Sequence, residues 1–101
     1  MAAKLDAAEV ERRVADLKGW GLRGNAISRQ FEFSGFADAI AFVTRLAFEA
    51  ELADHHPDIL ISYKRVTLTY STHSAGGLTD KDFAGARIAD TLAAAMGRAS
   101  A

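Results

Sequence analysis

The stretch from Ser34 to Asp54 restricts the fold more than any other, because it reads as a helix with two apolar faces. On a 3.6-residue wheel, Phe36, Ile40, Val43, Ala47 and Ala50 form one stripe. Ala37, Ala41, Phe48 and Leu52 form a second on nearly the opposite side, and Asp38, Arg45 and Glu49 fill only a narrow polar sector. Both faces must leave water. A chain of 101 residues makes one domain but cannot wrap one helix on every side. The second face, carried by Phe48 and Leu52, is therefore expected to meet another subunit.

The rest of the chain supplies a sheet and two further helices. Asp6 and Glu9 have the spacing of a helix cap and its reciprocal acid, and Val10, Val14 and Leu17 recur at helical spacing, so residues 6–18 read as a helix stopped near Gly19. Trp20-Gly21-Leu22 reads as a short strand and Arg23-Gly24-Asn25 as a turn. Ile27, Phe31 and Phe33 share one parity of a second strand, in which Arg29 breaks the alternation and predicts a partly buried face. Pro57 biases His56 away from the helical region. Residues 58–62 read as a third strand and Tyr63-Lys64-Arg65 as its hairpin connection. Val66, Leu68 and Tyr70 then alternate with Thr67, Thr69 and Ser71. After the loop Ala75-Gly76-Gly77, Thr79 and Asp82 resemble a capping box opening a last helix, with Ile88, Leu92, Ala95 and Met96 on its buried side. The order α-β-β-α-β-β-α predicts an α+β fold over residues 1–101: a four-stranded antiparallel sheet with three helices on one face.

Composition removes several classes of function. There is no cysteine, hence no disulfide, thiolate nucleophile or Cys-based zinc site. The net charge of −1, with both signs interspersed, lacks the basic footprint of a nucleic-acid binder. Residues 1–6 lack the apolar stretch of a signal peptide. The longest apolar runs, such as Ala39–Val43, are five residues, so no membrane association is expected and the cytoplasm is the expected compartment.

All three histidines fall within one 32-residue window: Glu51, then His55-His56-Pro57, Tyr63, His73 and Asp82. Histidine exchanges protons near neutrality, with an unperturbed pKa of about 6.5. Glu51 lies one helical turn before His55 and could fix its tautomer. His55 and His56 would diverge by about 100° if both were helical, so they cannot share one task. His73 is expected at the end of the last strand, beside glycines that let backbone approach a ligand.

Blander roles compete. Histidines at a helix end can simply cap carbonyls. Three histidines can also hold zinc, although adjacent ones chelate poorly. Asp82 can be only a helix-start acid, Tyr63 packing near a turn, and Trp20 core.

The run E-x3-HHP-x5-Y-x9-H-x8-D closely resembles the signature of the pterin-4a-carbinolamine dehydratases. The motif covers about a third of the chain, and the order of helices and strands resembles that family over nearly all of it. The resemblance implies an α+β domain assembled as a homodimer or homotetramer through the long second helix. It implies dehydration of 4a-hydroxytetrahydropterin to quinonoid dihydropterin, in recycling the cofactor of aromatic amino-acid hydroxylases, with neither metal nor cofactor. By similarity His55 and His73 would be the acid/base pair, with Glu51 orienting His55. His56 would hold the pterin, with Asp54, Pro57 and Asp82 contributing to the substrate site. Ile59 departs from the pattern, standing where many members carry an aromatic residue. A second implied reading is a non-catalytic assembly or binding partner that acts through the helix face, as in the animal member that doubles as a transcriptional cofactor.

Overall fold

The structure, a computed structural model, describes residues 3–96. Its elements run α1 (Ala7–Ala15), β1 (Gly21–Arg23), β2 (Ala26–Glu32), α2 (Phe36–Ala53), β3 (Asp58–Ser62), β4 (Arg65–Tyr70), a 3-10 turn (His73–Ala75) and α3 (Asp80–Ala95). The strands form one antiparallel sheet in the order β1-β2-β4-β3, with the three helices against one face.

Alternation decides which face that is. Val66, Leu68 and Tyr70 of β4 are buried, as are Ile27 and Phe31 of β2, and the register sets Ile27 opposite Tyr70 and Phe31 opposite Val66. Their apolar row meets Phe42 and Leu46 of α2 and Phe83, Ala86 and Ala89 of α3. The other face of the sheet carries short polar pairs such as Ser28 with Thr69. Arg29 belongs to the core face and does not expose it. Its guanidinium bonds Asp90 at 2.8 Å and lies 4.5 Å from the Phe31 ring centre, while Asp90 also accepts from the Trp20 indole at 3.0 Å. Trp20 is core.

Capping follows the sequence closely. The Asp6 side chain accepts from the Glu9 amide at 2.9 Å, and Thr79 with Asp82 forms a reciprocal capping box at α3. Hydrogen bonds from Arg12 and Arg13 hold the Glu9 carboxyl down at about 2, and Arg13 reaches across to Asp80 at 2.6 Å, tying α1 to the start of α3.

Several details differ from the sequence expectations: α1 ends at Ala15, short of residue 18, and Arg23 closes β1, leaving Gly24 and Asn25 as the turn. The buried side of α2 is Ala39, Phe42, Leu46 and Ala50, so Phe36 and Ile40 face outward with Phe48 and Leu52. Phe42 and Leu46 belong to neither stripe of the wheel: they lie beside the Phe36/Val43 stripe, on the side away from Phe48 and Leu52, and that side packs into the core. On α3 the buried residues are Phe83, Ala86, Ala89 and Ala93, with Ile88, Leu92 and Met96 partly covered and Ala95 exposed. Small residues there let helix and sheet approach. Arg65 is a strand residue paired with Ser62, leaving Tyr63 and Lys64 as the turn. Tyr63 is two-thirds exposed at φ 54, so it does not pack.

Candidate active site

Everything at the site depends on how α2 stops. Asp54 sits in the left-handed region at φ 52, ψ 42, its amide donating to Glu51 and the next amide, His55, donating to the Ala50 carbonyl at 3.1 Å. This is a left-handed helix termination with aspartate in the place glycine usually takes. It turns the chain out of the helix before His55, so the one-turn relation between Glu51 and His55 is lost. Glu51 instead bonds His56, Oε2 to Nε2 at 2.5 Å. That corrects the pairing expected from helical spacing.

His55 has a different carboxylate. Its Nε2 lies 2.6 Å from Asp82 Oδ1, and its ring stacks on Tyr70 with centroids 5.9 Å apart and planes 24° apart. Asp82 is wholly buried and also accepts from the Thr72 hydroxyl at 2.8 Å and the Thr79 amide at 2.9 Å. A buried carboxylate with three donors is fully satisfied. It is both a helix-start acid and the partner of a histidine, but no part of it is open to a ligand. Burial, with the Asp82 charge second, pushes the Tyr70 phenol up to about 12, so Tyr70 stays protonated at neutrality.

Because Pro57 follows in an extended segment, consecutive histidines face different openings. His56 and His73 line one cleft of about 300 Å³, together with Asn25, Asp58, Thr69, Ser71 and the Gly76-Gly77 backbone. His55 borders a smaller pocket of about 100 Å³ between α2 and α3, with Ala50, Tyr70 and Gly85. Only 13% of its side chain is exposed. His73 does not end the strand but opens a 3-10 turn one residue after Thr72, closed by Gly76 at φ 75, a left-handed position that suits glycine. Asp54 and half-buried Pro57 shape the turn and are not among the cleft's lining residues. Ile59 lies on the core side of edge strand β3, also outside the lining. Among the described residues, no three His, Asp or Glu side chains converge as a metal-binding group.

Sequence reasoning missed Thr72, Asp58 and Asn25. Thr72 was findable: it continues the inward parity of Val66, Leu68 and Tyr70, and a polar residue there needs a buried partner. Asp58 and Asn25 come to the cleft only through sheet pairing, which no local pattern announces.

The arrangement offers two imidazoles on an open polar cleft and a third imidazole fixed by a buried carboxylate. The two imidazoles on the cleft suit proton transfer to and from one small polar substrate, while His55 opens on the neighbouring pocket.

A sequence model of the family described as Pterin 4 alpha carbinolamine dehydratase matches residues 3–92. A Roseiflexus castenholzii protein provisionally named as a pterin-4-alpha-carbinolamine dehydratase is 57% identical over 83 residues, 82% of this chain and 89% of the relative. A Chloroflexus aurantiacus (strain J-10-fl) protein with the same provisional name is 51% identical over 89 residues, 88% and 96% of the two chains. Among solved structures, a transcriptional coactivator/pterin dehydratase of Brucella melitensis superposes with a TM-score of 0.85 at 37% identity, covering 89% of this chain and 98% of that one. A pterin dehydratase-like protein identified as a RuBisCO assembly factor in the alpha-carboxysome superposes at 0.61 with 25% identity, covering 73% and 86%.

Proposed function

The chain belongs to the pterin 4 alpha carbinolamine dehydratase family, and on that premise we propose that it dehydrates 4a-hydroxytetrahydrobiopterin or a close pterin analogue to the quinonoid dihydropterin. The reaction breaks the C4a–O bond, delivers a proton to the departing hydroxyl and removes one from N5, releasing water. One imidazolium and one neutral imidazole balance these transfers. We assign the pair to His55 and His73, with His56, held by Glu51, contacting the pterin.

The observation that carries this reading is the His55–Asp82 pair at 2.6 Å, in which the carboxylate is wholly buried. A carboxylate accepting from Nε2–H fixes the ring's orientation and leaves Nδ1 as the acceptor, the logic by which aspartate serves histidine in hydrolytic triads. A second assignment, favoured by the cleft that His56 and His73 share, makes those two the acid/base pair and His55 a support. The likeness to the RuBisCO assembly factor favours a different class, a binding role for this fold. The three histidines, two of them with carboxylate partners, support the enzyme.

The reading places the protein in the cytoplasm, as a homo-oligomer joined through the outward face of α2. No helix among the described residues is long and apolar enough to cross a membrane. Carbinolamine dehydration by the purified protein, without added metal, tests the proposal. His55→Ala and His73→Ala should each lose about 10²–10⁴-fold in kcat while remaining folded. Wild-type activity in the double variant would overturn it.

A further inference from the structure

We propose that Thr72 is a positioning residue that ties both histidine-bearing segments into one unit, through its hydroxyl toward His55 and through its backbone toward His73. The inference rests on the dehydratase reading for its kinetic consequence, but its geometry stands apart from that reading.

The Lys81 amide donates to Thr79 Oγ1 at 3.2 Å, and Thr79 Oγ1 lies 2.8 Å from Thr72 Oγ1. The Thr72 hydroxyl donates to Asp82 Oδ2 at 2.8 Å. A hydroxyl has one proton. Once that of Thr72 goes to Asp82, the proton between the threonines must come from Thr79, and Thr79 is free to give it because it accepts from Lys81. The chain therefore runs one way, from the first turn of α3 into the carboxylate. On its other oxygen, Asp82 has His55 Nε2 as its one hydrogen-bond partner among the described residues, at 2.6 Å. With two donors on Oδ2, the carboxylate is pinned about its own torsion and its Oδ1 is aimed at the imidazole.

The backbone of the same residue holds the other histidine. Thr72 is extended, at φ −111, ψ 91, so its side chain goes into the core while His73 follows onto the cleft. Its amide donates to Gly77 at 3.1 Å, and its carbonyl accepts from Ala75 at 3.0 Å and from Gly77 at 3.4 Å. Those bonds close the turn that presents His73. Thr72 is 6% exposed, so it cannot meet the substrate itself.

A purely structural role would satisfy Asp82 and nothing more. The two roles separate in Thr72→Val, which keeps the shape and removes the donor, and in Thr72→Ser, which keeps the donor. Ring ¹H–¹⁵N NMR of His55 in the free protein reads the pairing directly, and pH-dependent kinetics of carbinolamine dehydration read its consequence. Losing a hydrogen bond to a charged group should lower kcat in Thr72→Val by about ten- to a hundredfold with a smaller change in KM. The His55 Nε2–H signal should shift or broaden and the pH profile should move, with Thr72→Ser recovering most of both. If Thr72→Val does not fold, Thr72→Ala gives the same readouts without the branched side chain. Unchanged His55 signals in either donor-free variant overturn the proposal, as does an unchanged pH profile. If wild-type protein proves inactive, the dehydratase reading fails and the NMR comparison alone decides the coupling.

Discussion

Gly85 of α3 lies against the Tyr70 ring so closely that a Cβ on the glycine would stand 2.5 Å from Tyr70 Cε1 and 2.7 Å from Cζ. On an open helix surface, Gly→Ala stabilises by about 1 kcal/mol. Here the added methyl must push a ring that is itself stacked on His55. Overpacking of this kind costs about 1–3 kcal/mol, so Gly85→Ala should be destabilising. Urea unfolding should show a lower midpoint at unchanged slope. Combining it with Tyr70→Leu should recover part of the loss, because the two positions share one contact. A more stable Gly85→Ala protein would show that the ring yields freely.

Tyr70 also predicts how the fold fails in alkali. Its phenol has an ordinary value of 10.0 and is pushed up to about 12 in the folded protein by burial, then by Asp82. Below pH 10 both folded and unfolded chains hold the proton, and the stability is complete. Between 10 and 12 the unfolded chain releases it while the folded chain keeps it, so stability falls as pH rises. The share due to this group should be about 1–2 kcal/mol by pH 11.5. Tyr70→Phe carries no phenol and should lose stability less steeply over that window. Identical slopes for the two proteins would remove Tyr70 as the cause.

What the sequence made legible follows from periodicity. Alternation in Val66–Tyr70 and the Asp6 and Thr79 caps each depend on neighbours in the chain, and the structure has each of them. The buried side of α2 is not legible on the wheel, because the two stripes leave out Phe42 and Leu46, and only the packing of sheet and α3 selects that side over Phe36 and Ile40. The pairing at the site is hidden for a related reason. Glu51 and His55 are at helical spacing only if the helix continues, and a left-handed aspartate at position 54 carries weaker warning than glycine would. Asp82 was recognised as a cap, but its bond to His55, 27 residues away, is tertiary.

The exchanged carboxylate partners make a kinetic prediction. Glu51 serves His56 on the exposed rim of the cleft, whereas Asp82 serves His55 in the interior. If His56 holds the pterin, His56→Ala and Glu51→Gln should both raise KM more than they lower kcat. Glu51→Gln should be the milder, since it removes only an exposed pair worth at most about 1 kcal/mol. Steady-state kinetics of the two variants decides the matter. A fall in kcat at constant KM in His56→Ala would move the proton-transfer role from His55 to His56.

The outward face of α2 predicts assembly. Phe48 and Leu52 are 69% and 82% exposed in the single chain, and Phe36 adds a third large side chain at 53%. Fully burying one such side chain is worth about 1.5–3 kcal/mol, so a symmetric contact that covers several on each subunit has a substantial drive. The only charged side chain between the Phe36/Ile40 and Phe48/Leu52 rows is Glu51, which can remain at the edge with His56. The protein should therefore be a homodimer or homotetramer at micromolar concentration, by light scattering. Phe48→Glu would put a charge into the contact and should shift the mass to a smaller species without lowering the thermal stability of the separated subunit's sheet and helices by more than the lost association. A wild-type mass near 10.8 kDa under the same conditions would mean that this face stays in water and that some other pressure keeps it apolar.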